Sequence, residues 1–218
     1  MNRPLLIVLL ALTGCGGARP ARERADAPRP SGGQVEALVV YAAQPLMVLP
    51  AQAIRTDDSL GWVTAPADRP ALLTEVDSSL ETAFRARGLT PAWDMVSDLA
   101  RTARRNPVHV PRPADIRAAD AVRVLERRRD DDIPEPVASQ LRVYAGFLDA
   151  RYALVPAEVR FERGEFADAG RAILRVAILD VRGSKLVFIG DIVGTDAGDA
   201  PTAILNLGRR LADLIVQR

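Results

Sequence analysis

The periodicities along this chain predict an α/β (α+β) fold, with a mixed sheet of about four to five strands, a C-terminal antiparallel meander and four to five flanking helices. Three observations carry the reading. Between residues 70 and 150, apolar side chains recur at three- and four-residue spacing in several separate stretches, as amphipathic helices require. From Arg151 the period shortens towards two and the composition turns to Val, Ile and Phe, as pleated strands require. A helical stripe then returns over Pro201–Val216, carried by Ile204, Leu207, Leu211, Leu214 and Ile215. The order strand, helices, three-stranded meander, helix fits one layered domain, and no internal repeat interrupts it.

The elements follow in order. Val35–Val40 and Leu46–Pro50 are β-rich apolar runs separated by Gln44-Pro45, the second reading as a buried strand. Ile54–Asp68 is polar and turn-rich, with Gly61-Trp62 as its expected anchor. Leu73, Val76, Leu80 and Phe84 mark the first helix, and Gly88 stands where a left-handed C-terminal cap belongs. Thr90-Pro91 is the expected N-cap and first-turn pair of a second helix. That helix would place Trp93 in its first turn and present Val96, Leu99, Ala100 and Ala103 as its apolar face. Three prolines make 107–113 a loop. A polar helix is expected over Ala114–Arg128, with Ile116, Val122 and Leu125 as a thin stripe. The adjoining block Arg127-Arg128-Arg129-Asp130-Asp131-Asp132 reads as a solvated helix end and turn. Pro134–Asp149 is a further helix, with Val137, Leu141, Tyr144 and Leu148 on one face. Tyr152–Phe161, Arg171–Val181 and Leu186–Val193 are strands. The turn over Asp180–Lys185 is so short that the strands it joins must be antiparallel.

The chain opens with Arg3, an apolar run over Leu5–Leu12, and Thr13-Gly14-Cys15. A positive charge, a short apolar segment and small residues make a secretory signal peptide, and the run is too short to remain as a membrane-spanning helix. Leu12-Thr13-Gly14-Cys15 resembles the lipobox of bacterial lipoproteins. The resemblance implies cleavage after Gly14 and lipidation of Cys15, the single cysteine in the chain, by a diacylglycerol and usually a third acyl chain. Two or more chains anchor a protein stably where one does not. Gly16, not Asp, follows the cysteine, which in the proteobacterial sorting pattern implies the outer membrane, facing the periplasm. Gly16–Gly33 is Gly, Ala, Arg, Pro, Asp and Ser with almost no bulky apolar side chain, and so reads as a tether that cannot bury enough surface to order itself. The organisation is therefore a signal peptide over 1–14, a lipidated cysteine and tether over 15–34, and a single domain over 35–218.

Loss of residues 1–14 removes Arg3 and leaves 28 basic against 28 acidic residues. That balance argues against nucleic acid as a partner. Lys185 is the single lysine.

The element order resembles the amino-terminal domain of TolB and its relatives, including the curli-secretion lipoproteins and the penicillin-binding-protein activator lipoproteins. The residues that carry the resemblance are the strand ending Leu49-Pro50 and the helix closing on Arg85-Ala86-Arg87-Gly88. Ala150-Arg151-Tyr152-Ala153-Leu154-Val155-Pro156 and the hairpin over Leu179–Phe188 add to them. Two departures stand out: a long helical insertion over Arg101–Asp132, and Pro156 where the family has glycine. The resemblance implies a fold and a place in the cell envelope, and transfers no ligand or partner residue.

Catalytic patterns are not evident. His109 is the sole histidine, in Pro107-Val108-His109-Val110-Pro111, with no nucleophile elbow beside it, and reads as a surface-loop residue. One histidine and one cysteine cannot make a zinc site. Gly194-Thr195-Asp196-Ala197-Gly198-Asp199 lacks the alternating acids that calcium needs, and Gly190, Gly194 and Gly198 suit turns better than a phosphate loop. Asp130 and Asp131 are adjacent acids with no sign of burial. No metal and no cofactor is expected. The expectation is a non-enzymatic binding or assembly module, held at the membrane through Cys15 and directed at an envelope protein or at copies of itself. Trp62 is its candidate partner contact, because aromatic residues are enriched at interface hot spots. A subunit of a curli-type secretion pore and a periplasmic hydrolase are the alternatives.

Overall fold

The computed structural model describes residues 38–55, 60–63, 68–128, 131–166 and 169–216. The expected signal peptide, Cys15, the tether and Asp130 lie outside them. Within them the order is β1 (Leu46–Val48), α1 (Arg69–Ala86), β2 (Trp93–Asp94), α2 (Val96–Arg105), α3 (Ala118–Arg128) and α4 (Val137–Leu148). The meander β3 (Tyr152–Arg163), β4 (Gly170–Asp180) and β5 (Lys185–Val193) follows, and α5 (Ala200–Val216) closes the chain. The α/β class and the five-stranded mixed sheet are as the sequence predicts. The strand order is β2-β1-β3-β4-β5. β1 runs parallel to both β2 and β3, and β3, β4 and β5 pair antiparallel.

Side-chain alternation divides the sheet between two cores. Leu46, Val48, Leu154, Leu174 and Ile178 face one, where α1 supplies Val76, Leu80 and Phe84 and α5 supplies Ile204, Leu207 and Leu211. Met47, Leu49, Ala153, Val155, Ala177 and Leu179 face the other, which α2, α3 and α4 cover with Leu99, Val122, Leu141 and Tyr144. β1 is buried on both sides, as a central parallel strand must be. In β3, Pro156 is opposite Val176 and Glu158 opposite Arg175, so Ala157 is an extra residue. An added residue moves every later side chain to the opposite face. Beyond it Val159 and Phe161 join the α1–α5 core, and the alternate positions, Glu158, Arg160 and Glu162, turn to the other side. Proline is tolerated in this central strand because it sits at a bulge.

Three expected elements take different forms. Leu38–Ala43 is a helical turn and not a strand: Tyr41 N–H donates to Leu38 O at 3.1 Å and Ala42 N–H to Val39 O at 3.2 Å. An apolar run this short has no period to separate the two. Thr90-Pro91 is a turn before β2, not a helix start. Trp93 extends the sheet beside Leu46, its ring edge-on to Phe84 at 5.1 Å, and α2 begins at Val96, where Asp98 accepts the Met95 N–H at 2.9 Å. The helix expected from Ala114 begins at Ala118. Pro113–Asp115 is a 3-10 turn, and Ile116 is buried ahead of the helix. The true start is capped from afar, because Gln52 Oε1 accepts the Ala119 N–H at 2.8 Å. Gly88 adopts φ +72° past the end of α1, as expected.

Candidate functional site

The loop Pro107–Arg112 crosses the outside of α2 and α4 and is fixed at both ends. Asn106 O accepts the His109 and Val110 N–H groups at 3.1 and 2.9 Å. The buried Tyr144 hydroxyl donates to Pro111 O at 2.6 Å, and burial pushes that phenol up to about 12. Val110 is buried as the loop's plug, whereas Val108 is 86% exposed. On one side lies a groove of about 620 Å³ whose walls include Ala100, Ala103, Pro107, Val110, Pro111 and Pro113. On the other a smaller hollow is lined by Val108, His109, Gln140 and Val143 among others. Prolines hold this surface with little conformational entropy left to lose. An apolar, pre-ordered surface suits docking by a partner.

A second concavity, of about 500 Å³, lies where the bulged half of the meander emerges from beneath α3. Asp191 accepts hydrogen bonds from Arg160 at 3.0 Å and from Arg175 at 2.7 Å. Arg175 also contacts Glu126, Arg160 reaches Glu162 at 2.9 Å, and Arg55 and Arg123 meet Glu158 at 3.1 and 3.4 Å. Four arginines face four carboxylates among the lining residues, so the cleft carries no surplus charge. Burial pushes the Asp191 carboxyl up, yet the bonds from Arg160 and Arg175 outweigh it and hold the group below its ordinary range. Burial works against both guanidiniums, yet the bonds of Arg160 to Glu162 and Asp191, and of Arg175 to Asp191 and Glu126, outweigh it and keep both charged. Groups locked this way pair with one another and do not exchange protons near neutral pH.

At the C-terminal end of β1 the chain is latched from both cores. Asp77 of α1 accepts the Ala51 N–H at 2.7 Å, and Gln52 Nε2 donates to Ile116 O at 2.8 Å. Burial raises the Asp77 carboxyl to about 7, against the hydrogen bond from Ala51, which lowers it; nearby Glu81 adds to the rise.

Trp62 is half-buried, edge-on to Phe161 at 5.4 Å and pressed against Gly170, so its ring already packs on the domain. His109 is exposed on the proline loop. Asp131 O accepts the Leu186 N–H at 2.7 Å and Asp132 pairs with Lys185 at 2.6 Å, so the acidic end of the charge block runs beside β5. Asp196 accepts the Glu165 N–H at 2.8 Å and Asp199 caps α5 by accepting the Thr202 N–H at 2.8 Å, which gives both acids of that loop main-chain partners. Among the described residues no three His, Cys, Asp or Glu side chains form a metal-binding group. No helix among them is long and apolar enough to cross a membrane. Neither the arginine–carboxylate cleft nor the Asp77 latch is anticipated by the sequence. The only local sign of the cleft is charge at alternate positions of β3, where a doubly covered strand would be apolar.

No known family model matches the chain, and no curated protein matches it. Among solved structures, a hypothetical protein from Chlamydia trachomatis is similar, with 14% identity and a TM-score of 0.43; the alignment covers 80% of this chain and 94% of that one.

Proposed function

We propose that this chain is a lipid-anchored envelope lipoprotein that works by binding a protein partner and not by catalysis. The observation that carries the reading is Leu12-Thr13-Gly14-Cys15 directly after a short apolar run and ahead of a polar, proline-containing stretch. Acylation of Cys15 would hold the body at the periplasmic face of the outer membrane, and the stretch over 16–34 would give it reach. Anchoring raises local concentration, so a modest interface suffices. The proline-framed apolar surface around Val108 supports the binding half of the reading. It is framed by prolines and exposed at Val108, and Arg104, Arg112 and Asp115 stand among the groove's lining residues, with Arg112 paired to Asp115 at 2.8 Å. The element order resembles the TolB amino-terminal domain, which supports an envelope assembly as the setting.

Cell fractionation with radiolabelled palmitate tests the anchor: the native chain takes up label and sediments with membranes, and Cys15→Ser does neither. A Cys15→Ser chain as firmly membrane-bound and processed at the same point overturns the reading. In-cell crosslinking from a photoreactive residue at position 108 tests the partner. One reproducible envelope protein, lost on Val108→Asp, is the expected outcome.

A further inference from the structure

We infer that the groove between α2 and the proline loop takes a short acidic, apolar segment of the partner protein, its apolar side chains against the alanine and proline walls and a carboxylate on Arg104. The inference rests on the binding role proposed above and adds to it the chemistry of what is bound.

The groove exists because of what its walls lack. Ala100 and Ala103 both line it from α2, three residues apart and so on one face of the helix. Their single methyl groups leave open a space that a leucine at either position would fill. The loop beside them lines the groove with Pro107, Pro111 and Pro113, which carry no N–H and so present apolar surface. That loop is held from collapsing inward: the Tyr144 hydroxyl donates to Pro111 O at 2.6 Å and Val110 N–H donates to Asn106 O at 2.9 Å. A hollow of about 620 Å³ stands open as a result, and an occupant need not order it first.

Charge on the groove selects the occupant. Its charged lining residues are Arg104, Arg112 and Asp115. The acid is already engaged, since Asp115 accepts from Arg112 through both oxygens, at 2.8 and 3.0 Å. Arg104 stands four residues after Ala100 and shares its face of α2. Among the described residues no carboxylate pairs with its guanidinium, nor with that of Arg105 beside it. Their place in the last turn of α2 accounts for positive charge, which suits the negative end of a helix, but it leaves the guanidinium donors unused. A planar guanidinium matches a carboxylate in charge and geometry. An apolar hollow with an unanswered cation on its wall is therefore complementary to a chain that intersperses apolar side chains with Asp or Glu. A basic segment would meet Arg104 as a like charge and be rejected. An anionic membrane offers the same two chemistries, but the apolar walls are recessed, where a side chain reaches and a flat bilayer surface does not.

Fluorescence anisotropy with two labelled synthetic peptides, one repeating Glu-Leu-Ala and the other Lys-Leu-Ala, tests it. The full chain is held in neutral phosphatidylcholine nanodiscs where it carries lipid and assayed free where it does not, so the outcome does not depend on the anchor. The native chain binds the Glu peptide at least about fivefold tighter than the Lys peptide. Arg104→Gln removes most of that preference and Arg104→Glu reverses it. Arg210→Glu, the same change of charge at an exposed position of α5 on the other side of the sheet, leaves it as it was. Ala100→Leu fills the hollow without touching a charge and weakens the Glu peptide at least about fivefold. Should that variant fail to fold, the arginine series decides alone, because Arg104 is exposed. Equal affinity for the two peptides, a preference that survives Arg104→Glu or falls equally with Arg210→Glu, binding undiminished by a folded Ala100→Leu, or displacement of the peptide by phosphatidylglycerol nanodiscs overturns the proposal. A partner crosslinked from position 108 together with equal peptide affinities leaves the binding role standing and overturns this inference alone.

Discussion

Replacing Asp77 by asparagine isolates what one buried charge does to this fold. Asparagine keeps the oxygen that accepts the Ala51 N–H at 2.7 Å and removes the ionisation. A carboxyl raised from 3.8 to about 7 binds its proton more tightly folded than unfolded. The native protein is therefore most favoured below pH 4 on this account, and stability falls as pH rises from about 4 to about 7. Integrating between pH 5 and pH 8 gives a loss of about 2–3 kcal/mol from this one group. Asp77→Asn lacks that loss, so its advantage over the native protein should widen by about 2–3 kcal/mol across the same interval. Urea unfolding of both proteins at pH 5, 6, 7 and 8, analysed with a common slope, reads the difference directly. A stability difference that stays flat with pH, or narrows towards pH 8, would refute the assignment of a desolvated carboxyl to this site.

Four further outcomes follow from the packing. Gly208 in α5 leaves room for Ser79 of α1, and a Cβ there would lie 2.5 Å from Ser79 Oγ and 3.0 Å from its carbonyl. Gly208→Ala should destabilise by about 1–3 kcal/mol, whereas Gly146→Ala in α4, with nothing within 4 Å, should stabilise by about 0.5–1 kcal/mol; thermal unfolding separates the two signs. Asp191→Asn removes the negative charge and one of the two oxygens that accept from Arg160 and Arg175 and should lower stability by about 1–3 kcal/mol at pH 7. Because the Asp191 carboxyl is held low, its contribution is present at neutral pH and lost as pH falls through its lowered value, opposite in sign to Asp77. Tyr144→Phe deletes the hydroxyl bonded to Pro111 O and should remove about 1 kcal/mol, with faster amide exchange at His109 and Val110 as the local readout.

The amphipathic stripes of α1, α4 and α5 and the two-residue alternation of β3–β5 are local records of which side of each element is buried, and they were legible without a structure. The same holds for Gly88, whose left-handed cap is a property of one residue. The Leu12-Thr13-Gly14-Cys15 pattern on which the proposed anchor rests is likewise a feature of the sequence. The helical turn over Leu38–Ala43 was hidden because the run is too short to show a period; at the other two departures the deciding partner lay far away in the chain. Trp93 became a strand because β1 offered it an edge, and α3 starts at Ala118 because Gln52, 67 residues from Ala119, caps it. The arginine–carboxylate cleft depends on a single extra residue, Ala157, that turns Glu158 and Arg160 outward from the covered core. Local periodicity fixed which residues wanted burial. Only the tertiary structure could decide which edges stayed open and which charges met, because both depend on contacts between residues that the chain keeps apart.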